Sequence, residues 1–155
     1  MATIRLPPDF REFLKLLKEH EVRYLLIGAY AVNYHGYVRS TGGLDIWIAI
    51  HPDNAKKMVN VLKAFGFDHP DLNADLFLQE KKIIRMGMPP VRLEITTSIS
   101  GVEFDECYRA RIVDELDGVE VNLIDLENLK KNKKASGRPK DLVDFKKLTE
   151  IKRRN

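Results

Sequence analysis

The 155-residue chain has a single cysteine, Cys107, so no disulfide can form within it. A lone thiol suits a reducing compartment, and the expected location is cytoplasmic. On its own Cys107 reads as a small buried hydrophobe. No apolar run approaches the roughly 18 residues that would span a bilayer. The opening MATIRLPPDF lacks the apolar core of a secretory signal, so no membrane association is expected. His35 and His51 stand without Cys or His partners at metal spacing, which sets a zinc site aside. No Ser/His/Asp arrangement with a recognisable nucleophile elbow occurs, so acyl transfer is not the expected chemistry. Internal repeats and low-complexity segments are absent.

What remains is an ordinary globular composition, 44% hydrophobic and 32% charged, of a length suited to one domain over residues 1–155 with one sizeable core. The net charge of +3 hides an asymmetry. Residues 1–129 carry 15 Lys and Arg against 20 Asp and Glu, whereas residues 130–155 carry 11 against 3. Such a basic tail suits a polyanion, RNA or nucleotide; a solvated helix face is the alternative.

Pro7-Pro8-Asp9 opens a helix, with proline in the first turn and an acid at the positive helix end. Phe10, Phe13, Leu14, Leu16 and Leu17 give it an apolar stripe. Tyr24–Ile27 reads as a short strand that ends at Gly28, where a second helix begins. Val38–Gly43 is a loop, followed by the strongly apolar strand Leu44–Ile50, in which Asp45 is the one charge. His51-Pro52-Asp53 starts a helix running to about Phe65. Residues 67–80 have weak periodicity and are left as loop and turns. Strands follow over 82–86 and 91–96, the second alternating Arg92, Glu94 and Thr96 on one face with Val91, Leu93 and Ile95 on the other. A short helix over 104–109 precedes a hairpin, 112–116 and 119–124, whose Asp117-Gly118 predicts a type I′ turn. Two helices, about 125–133 and 139–152, close the chain. The expected fold class is α/β (α+β): a mixed, twisted sheet with helices packed on one face and a helical C-terminus.

Three features carry chemistry. A helix beginning at Gly28 exposes free backbone N–H groups and a partial positive charge, both suited to phosphate. Asp45 lies in a strand apolar enough to be central, where a carboxylate must be paired or bind a cation. Glu94 lies in a later strand. Were the two strands neighbours, the carboxylates would repel unless a cation such as Mg²⁺ sat between them, bound also by substrate phosphates. The alternatives are an Asp45 salt-bridged to Arg39 or Arg92, and a Glu94 paired with Arg92 or a neighbouring strand.

Leu26–Val32, then Arg39-Ser40-Thr41, then Leu44-Asp45-Ile46-Trp47 resemble the minimal nucleotidyltransferases of the DNA-polymerase-β superfamily. Lys133–Asp144 is similar to the end of small bacterial and archaeal members, some of which sit in toxin–antitoxin pairs. The resemblance implies the nucleotidyltransferase fold. It also implies Mg²⁺-dependent transfer of a nucleoside monophosphate from a nucleoside triphosphate to an acceptor hydroxyl, on RNA (tRNA), a protein or a small molecule. Asp45 and Glu94 would be the catalytic metal ligands. Gly28 and Ala29 would cradle phosphates, with Arg39, Ser40, Arg138 and Lys140 as further phosphate or acceptor contacts. The family's first catalytic carboxylate is replaced by Gly43 and its second phosphate-loop small residue is Ala29. The first departure implies impaired activity and leaves room for a non-catalytic nucleotide- or RNA-binding module, with an antitoxin-like partner.

Overall fold

The computed structural model describes residues 3–151. Along the chain the elements are α1 (Pro8–Glu19), β1 (Tyr24–Ile27), α2 (Gly28–Tyr34), β2 (Gly43–Ile48), α3 (Pro52–Ala64), a 3-10 turn (Ala74–Phe77), β3 (Ile83–Met86), β4 (Arg92–Thr96), α4 (Phe104–Arg109), β5 (Ile112–Leu116), β6 (Val119–Leu123), α5 (Leu126–Ser136) and α6 (Pro139–Glu150). The six strands form one sheet in the order β3-β4-β2-β1-β6-β5. It is mixed: β2 runs parallel to β4 and antiparallel to β1, while β1 runs parallel to β6.

Local chemistry explains most boundaries. Pro8 occupies the first turn of α1, whose buried face is Phe10, Phe13, Leu14 and Leu17. The His51 ring accepts the Asp53 N–H at 3.2 Å and caps α3. Asp117 and Gly118 both take positive φ, which makes the β5–β6 turn type I′. Residues 67–80 contain more order than their periodicity predicts, because Phe77 is fully buried against the core and draws the chain into a 3-10 turn.

Helices cover both faces of the sheet rather than the one face expected. The even-numbered residues Leu26, Leu44, Ile46 and Ile48 meet α1 and α3 in the larger cluster. Leu25, Ile27 and Trp47 meet Ala31 and Val32 of α2, Cys107 of α4, Leu129 of α5 and Leu148 of α6 on the opposite face. A central strand buried on both sides needs apolar residues at consecutive positions, which is why β1 and β2 lack alternation. Asp45 shares the face of Trp47 and Ile27, and this face carries the cleft. Among the described residues, no helix is long and apolar enough to cross a membrane.

Candidate functional site

The sheet register assembles the site. Ile27 of β1 lies opposite Asp45, Asp45 opposite Glu94 in the parallel β2–β4 pair, and Glu94 opposite Arg85 in β3. Neighbouring strands stand about 4.8 Å apart, so the row brings two carboxylates together and leaves Gly28, one residue past Ile27, beside the first of them. Gly28 has φ +69, and a Cβ built there would lie 2.1 Å from Oδ2 of Asp45. The Asp45 carboxylate therefore occupies the space that any other residue at position 28 would fill, packed against the backbone that opens α2.

These residues line a cleft of about 790 Å³, within the range of small-molecule sites. Gly28, Ala29, Arg39, Asp45, Glu94, Arg138 and Lys140 are all in its wall. Ser40 is not: it is exposed, because Arg39 turns inward and the next residue of the loop must turn out. The wall carries six cations against three carboxylates, so its charge suits an anionic ligand.

Burial, and then the adjacent Glu94 carboxylate, push the Asp45 carboxyl up to about 6, against the pull of Lys133, Lys140 and Arg39. None of those cations forms an ion pair with it among the described residues. Arg39 is held instead by Asp144, with Nε and Nη2 each 2.9 Å from a carboxylate oxygen. Glu94 accepts from Nε of Arg85 at 3.3 Å. Thus neither Arg39 nor Arg92 is the partner of Asp45, and the partner of Glu94 comes from β3.

The described residues contain no group of three or more His, Cys, Asp or Glu side chains placed to hold a metal ion. Asp45 and Glu94 are two hard oxygen donors in an anion-attracting cleft. That is the donor set Mg²⁺ takes when substrate phosphates and water complete its shell, so the residues fit the ion as a substrate-completed site.

Gly43 does not adopt a left-handed conformation. Its reason is proximity: a Cβ at position 43 would lie 2.1 Å from the Arg92 carbonyl oxygen of β4. In this backbone β2 and β4 approach too closely at their start for a side chain.

Three cations of the basic tail, Lys130, Lys133 and Arg138, are paired with acids. Lys133 is buried, with Nζ 3.0 Å from Asp141 and 3.1 Å from Asp144. Arg138 pairs with Asp141 at 2.9 Å, and Lys130 reaches Glu127 at 3.9 Å. Lys152, Arg153 and Arg154 lie outside the described residues. Sequence reasoning missed Lys133, Asp141, Asp144 and Arg85 as parts of the site. The spacing of Asp141 and Asp144, three apart on one helix face, is the signal that could have raised the first three.

A second cavity of about 540 Å³ adjoins the cleft through Ser98 and Ile99. Trp47 and Phe104, packed edge to face at 5.1 Å, form its aromatic corner.

Because Gly28 is both left-handed and pressed by Asp45, Gly28→Ala is expected to destabilise the fold by about 1–3 kcal/mol. Thermal melts of parent and variant check this. An unchanged melting temperature would mean that the carboxylate does not rest on that backbone.

The fold has known counterparts. The chain matches a crystal structure of a candidate nucleotidyltransferase from Thermotoga maritima with TM-score 0.59 at 14% identity, covering 90% of this chain and 89% of that one. It matches a nucleotidyltransferase-like antigenic protein from Paracoccidioides brasiliensis with TM-score 0.55 at 17% identity, covering 90% of this chain and 73% of that one. No protein-family model and no curated protein sequence matches the chain. Its six-stranded mixed sheet with flanking helices is the nucleotidyltransferase fold.

Proposed function

We propose that the chain binds a nucleoside triphosphate with Mg²⁺ in the 790 Å³ cleft and transfers its nucleoside monophosphate to an acceptor hydroxyl, the hydroxyl oxygen bonding to the α-phosphorus as the α–β anhydride bond breaks and pyrophosphate and the hydroxyl proton leave, at a rate limited by the glycine at position 43. The observation that carries this reading is the row across the sheet: the Gly28 backbone, Asp45 and Glu94 lie side by side, beneath walls rich in cations. Asp45 and Glu94 would hold the Mg²⁺, which when bound supplies Lewis-acid stabilisation of charge on the phosphoryl oxygens. The backbone at Gly28 and Ala29 lets a phosphate approach the start of α2 closely. Arg39, Lys133 and Lys140 lie near enough to Asp45 to lower its carboxyl electrostatically, and they orient the negative charge that enters the cleft. The 540 Å³ cavity that shares Ser98 and Ile99 with the cleft supports an acceptor approaching along β2 and β4.

One observation favours a second reading, a nucleotide-binding module without transfer activity. Among the described residues the strands at Gly43 bring two carboxylates to the cleft, Asp45 and Glu94, and two-ion transfer chemistry would call for a further carboxylate ligand there. Calorimetric titration with nucleoside triphosphate, with and without Mg²⁺, separates the two. The enzyme reading expects affinity to rise at least about tenfold with Mg²⁺, the scale of one good charge-assisted contact. Equal affinity in both conditions supports the module, and the absence of binding in either overturns the nucleotide reading altogether.

A further inference from the structure

The C-terminal helices reach the cleft through buried charge. Asp144 of α6 is 1% exposed, accepts two hydrogen bonds from Arg39 and forms an ion pair with Lys133. Lys133 and Asp141 are 8% exposed at the side chain. The backbone of Arg39 is clamped as well. Its N–H donates to Asn33 Oδ1 at 2.6 Å, and its carbonyl accepts from Asn33 Nδ2 at 2.9 Å. One loop residue is thus held by α2 at the main chain and by α6 at the guanidinium.

Burial of an ion pair is by itself weak evidence that the pair stabilises the fold. Burying ions costs desolvation that their mutual attraction barely offsets, and apolar replacements of such pairs are often neutral or stabilising. What a buried pair does deliver is a fixed position for the charges. A guanidinium has five N–H donors. Nε and one N–H of Nη2 go to Asp144, and one N–H of Nη1 goes to the Ser40 carbonyl. One N–H then remains on each terminal nitrogen. Lys133 has three donors, of which Asp141 takes one, while Asp144 pairs with the ammonium at 3.1 Å. Both cations line the cleft. The spare donors belong to side chains that cannot swing away, and a phosphate binding them loses little further side-chain entropy.

We propose that Asp144 is a positioning residue of the nucleotide cleft: it touches no substrate but aims Arg39, together with Lys133, at the triphosphate. The role rests on the nucleotide reading above. It makes the tail a working wall of the site, so that α5 and α6 contribute to binding through the ion network rather than through free surface charge.

The test is a double-mutant cycle on Arg39 and Asp144, read by calorimetric titration with inorganic triphosphate and with nucleoside triphosphate plus Mg²⁺, with thermal melts alongside. Asp144→Asn and Arg39→Gln are each expected to weaken binding about tenfold, the scale of one charge-assisted hydrogen bond. The double variant is expected to bind more tightly than the product of the two single losses, because with Arg39 gone Asp144 keeps only its ion pair with Lys133. Side chains in contact couple whatever their role, so the melts make the distinction: the positioning role expects the affinity loss at a temperature where every variant is still fully folded, which a merely structural pair would not produce. If Asp144→Asn does not fold, Asp144→Glu serves in its place, since it keeps the charge and displaces the fork. Losses that multiply in the double variant, or an Asp144 variant that binds triphosphate as the parent does, would overturn the positioning role while leaving the nucleotide reading intact. A parent chain that binds neither ligand would overturn both.

Discussion

Asp45→Asn is expected to yield a protein that is more stable than its parent at neutral pH and that no longer binds triphosphate in a Mg²⁺-dependent way. The sign follows from the carboxyl's shift. Burial and Glu94 raise it from 3.8 in the unfolded chain to about 6 in the folded one. Between those values the folded protein holds a proton that the unfolded chain has released. Parent stability therefore falls as pH rises through the interval and carries the full penalty above about 6. Two units correspond to about 3 kcal/mol at most, and partial solvation of the cleft lowers that to about 1–3 kcal/mol. Asparagine has the same shape without the charge. The variant should match the parent near pH 4, exceed it increasingly up to pH 6, and keep a constant advantage beyond. Function moves the other way. Loss of a preorganised electrostatic group costs about 10²-fold or more in transfer, and added Mg²⁺ with triphosphate should raise the melting temperature of the parent alone. Urea melts across pH 4–8, with transfer of labelled nucleotide to cellular RNA or protein, measure both arms. A variant less stable than its parent at pH 7 would mean that Asp45 is a structural partner rather than a destabilised ligand.

The second large effect concerns position 43, where steric cost and chemical gain oppose each other. Any Cβ there meets the Arg92 carbonyl oxygen at 2.1 Å, so the starts of β2 and β4 must part before a side chain fits. Gly43→Ala and Gly43→Asp should each lose about 1–3 kcal/mol, typical of overpacking. They should differ in their response to Mg²⁺. A carboxylate two residues before Asp45 shares its face of the strand and adds a ligand to the cleft. Mg²⁺ with triphosphate should therefore raise the melting temperature of the Asp variant by several degrees more than that of the Ala variant, and label transfer should rise about 10²-fold in the Asp variant alone. The Ala variant isolates the strain, which a comparison with the parent cannot do. Identical responses in the two variants would show that strand separation carries the new side chain away from the cleft, and would favour the non-catalytic module.

Much of this architecture was legible before any coordinates. The apolar stripe of α1, the Gly28 helix start, the apolar β2 with its one carboxylate and the Asp117-Gly118 turn are local patterns with local causes: periodicity, backbone freedom at glycine and turn chemistry. Asp45 could be nominated as the one charge in an otherwise apolar strand, and Glu94 as a carboxylate flanked by apolar residues on a later strand, since burying charge is costly wherever the strand ends up.

Other features depend on relations between distant segments, which no local pattern encodes. The two-sided covering of the sheet arises from the order β3-β4-β2-β1-β6-β5, since α4, α5 and α6 return to the face that α1 and α3 leave bare. Arg39 and Ser40 are adjacent in sequence and equally polar, yet Asn33 and Asp144 draw only the first into the cleft. The tail's charge looked free in composition because Lys133 could not be matched to its partners: Asp141 and Asp144 face it only when α5 and α6 pack as a pair. The reason for Gly43 was hidden for the same cause. The resemblance places it where the family's first carboxylate would stand, beside another glycine. Only the parallel register with β4, which sets Gly43 opposite Arg92, turns it into a contact between two backbones too close for a side chain. Sequence alone determined the types and local settings of the candidate residues, Asp45 and Glu94 among them; tertiary structure decided which residues meet, because pairing and desolvation are properties of the neighbours a folded chain supplies.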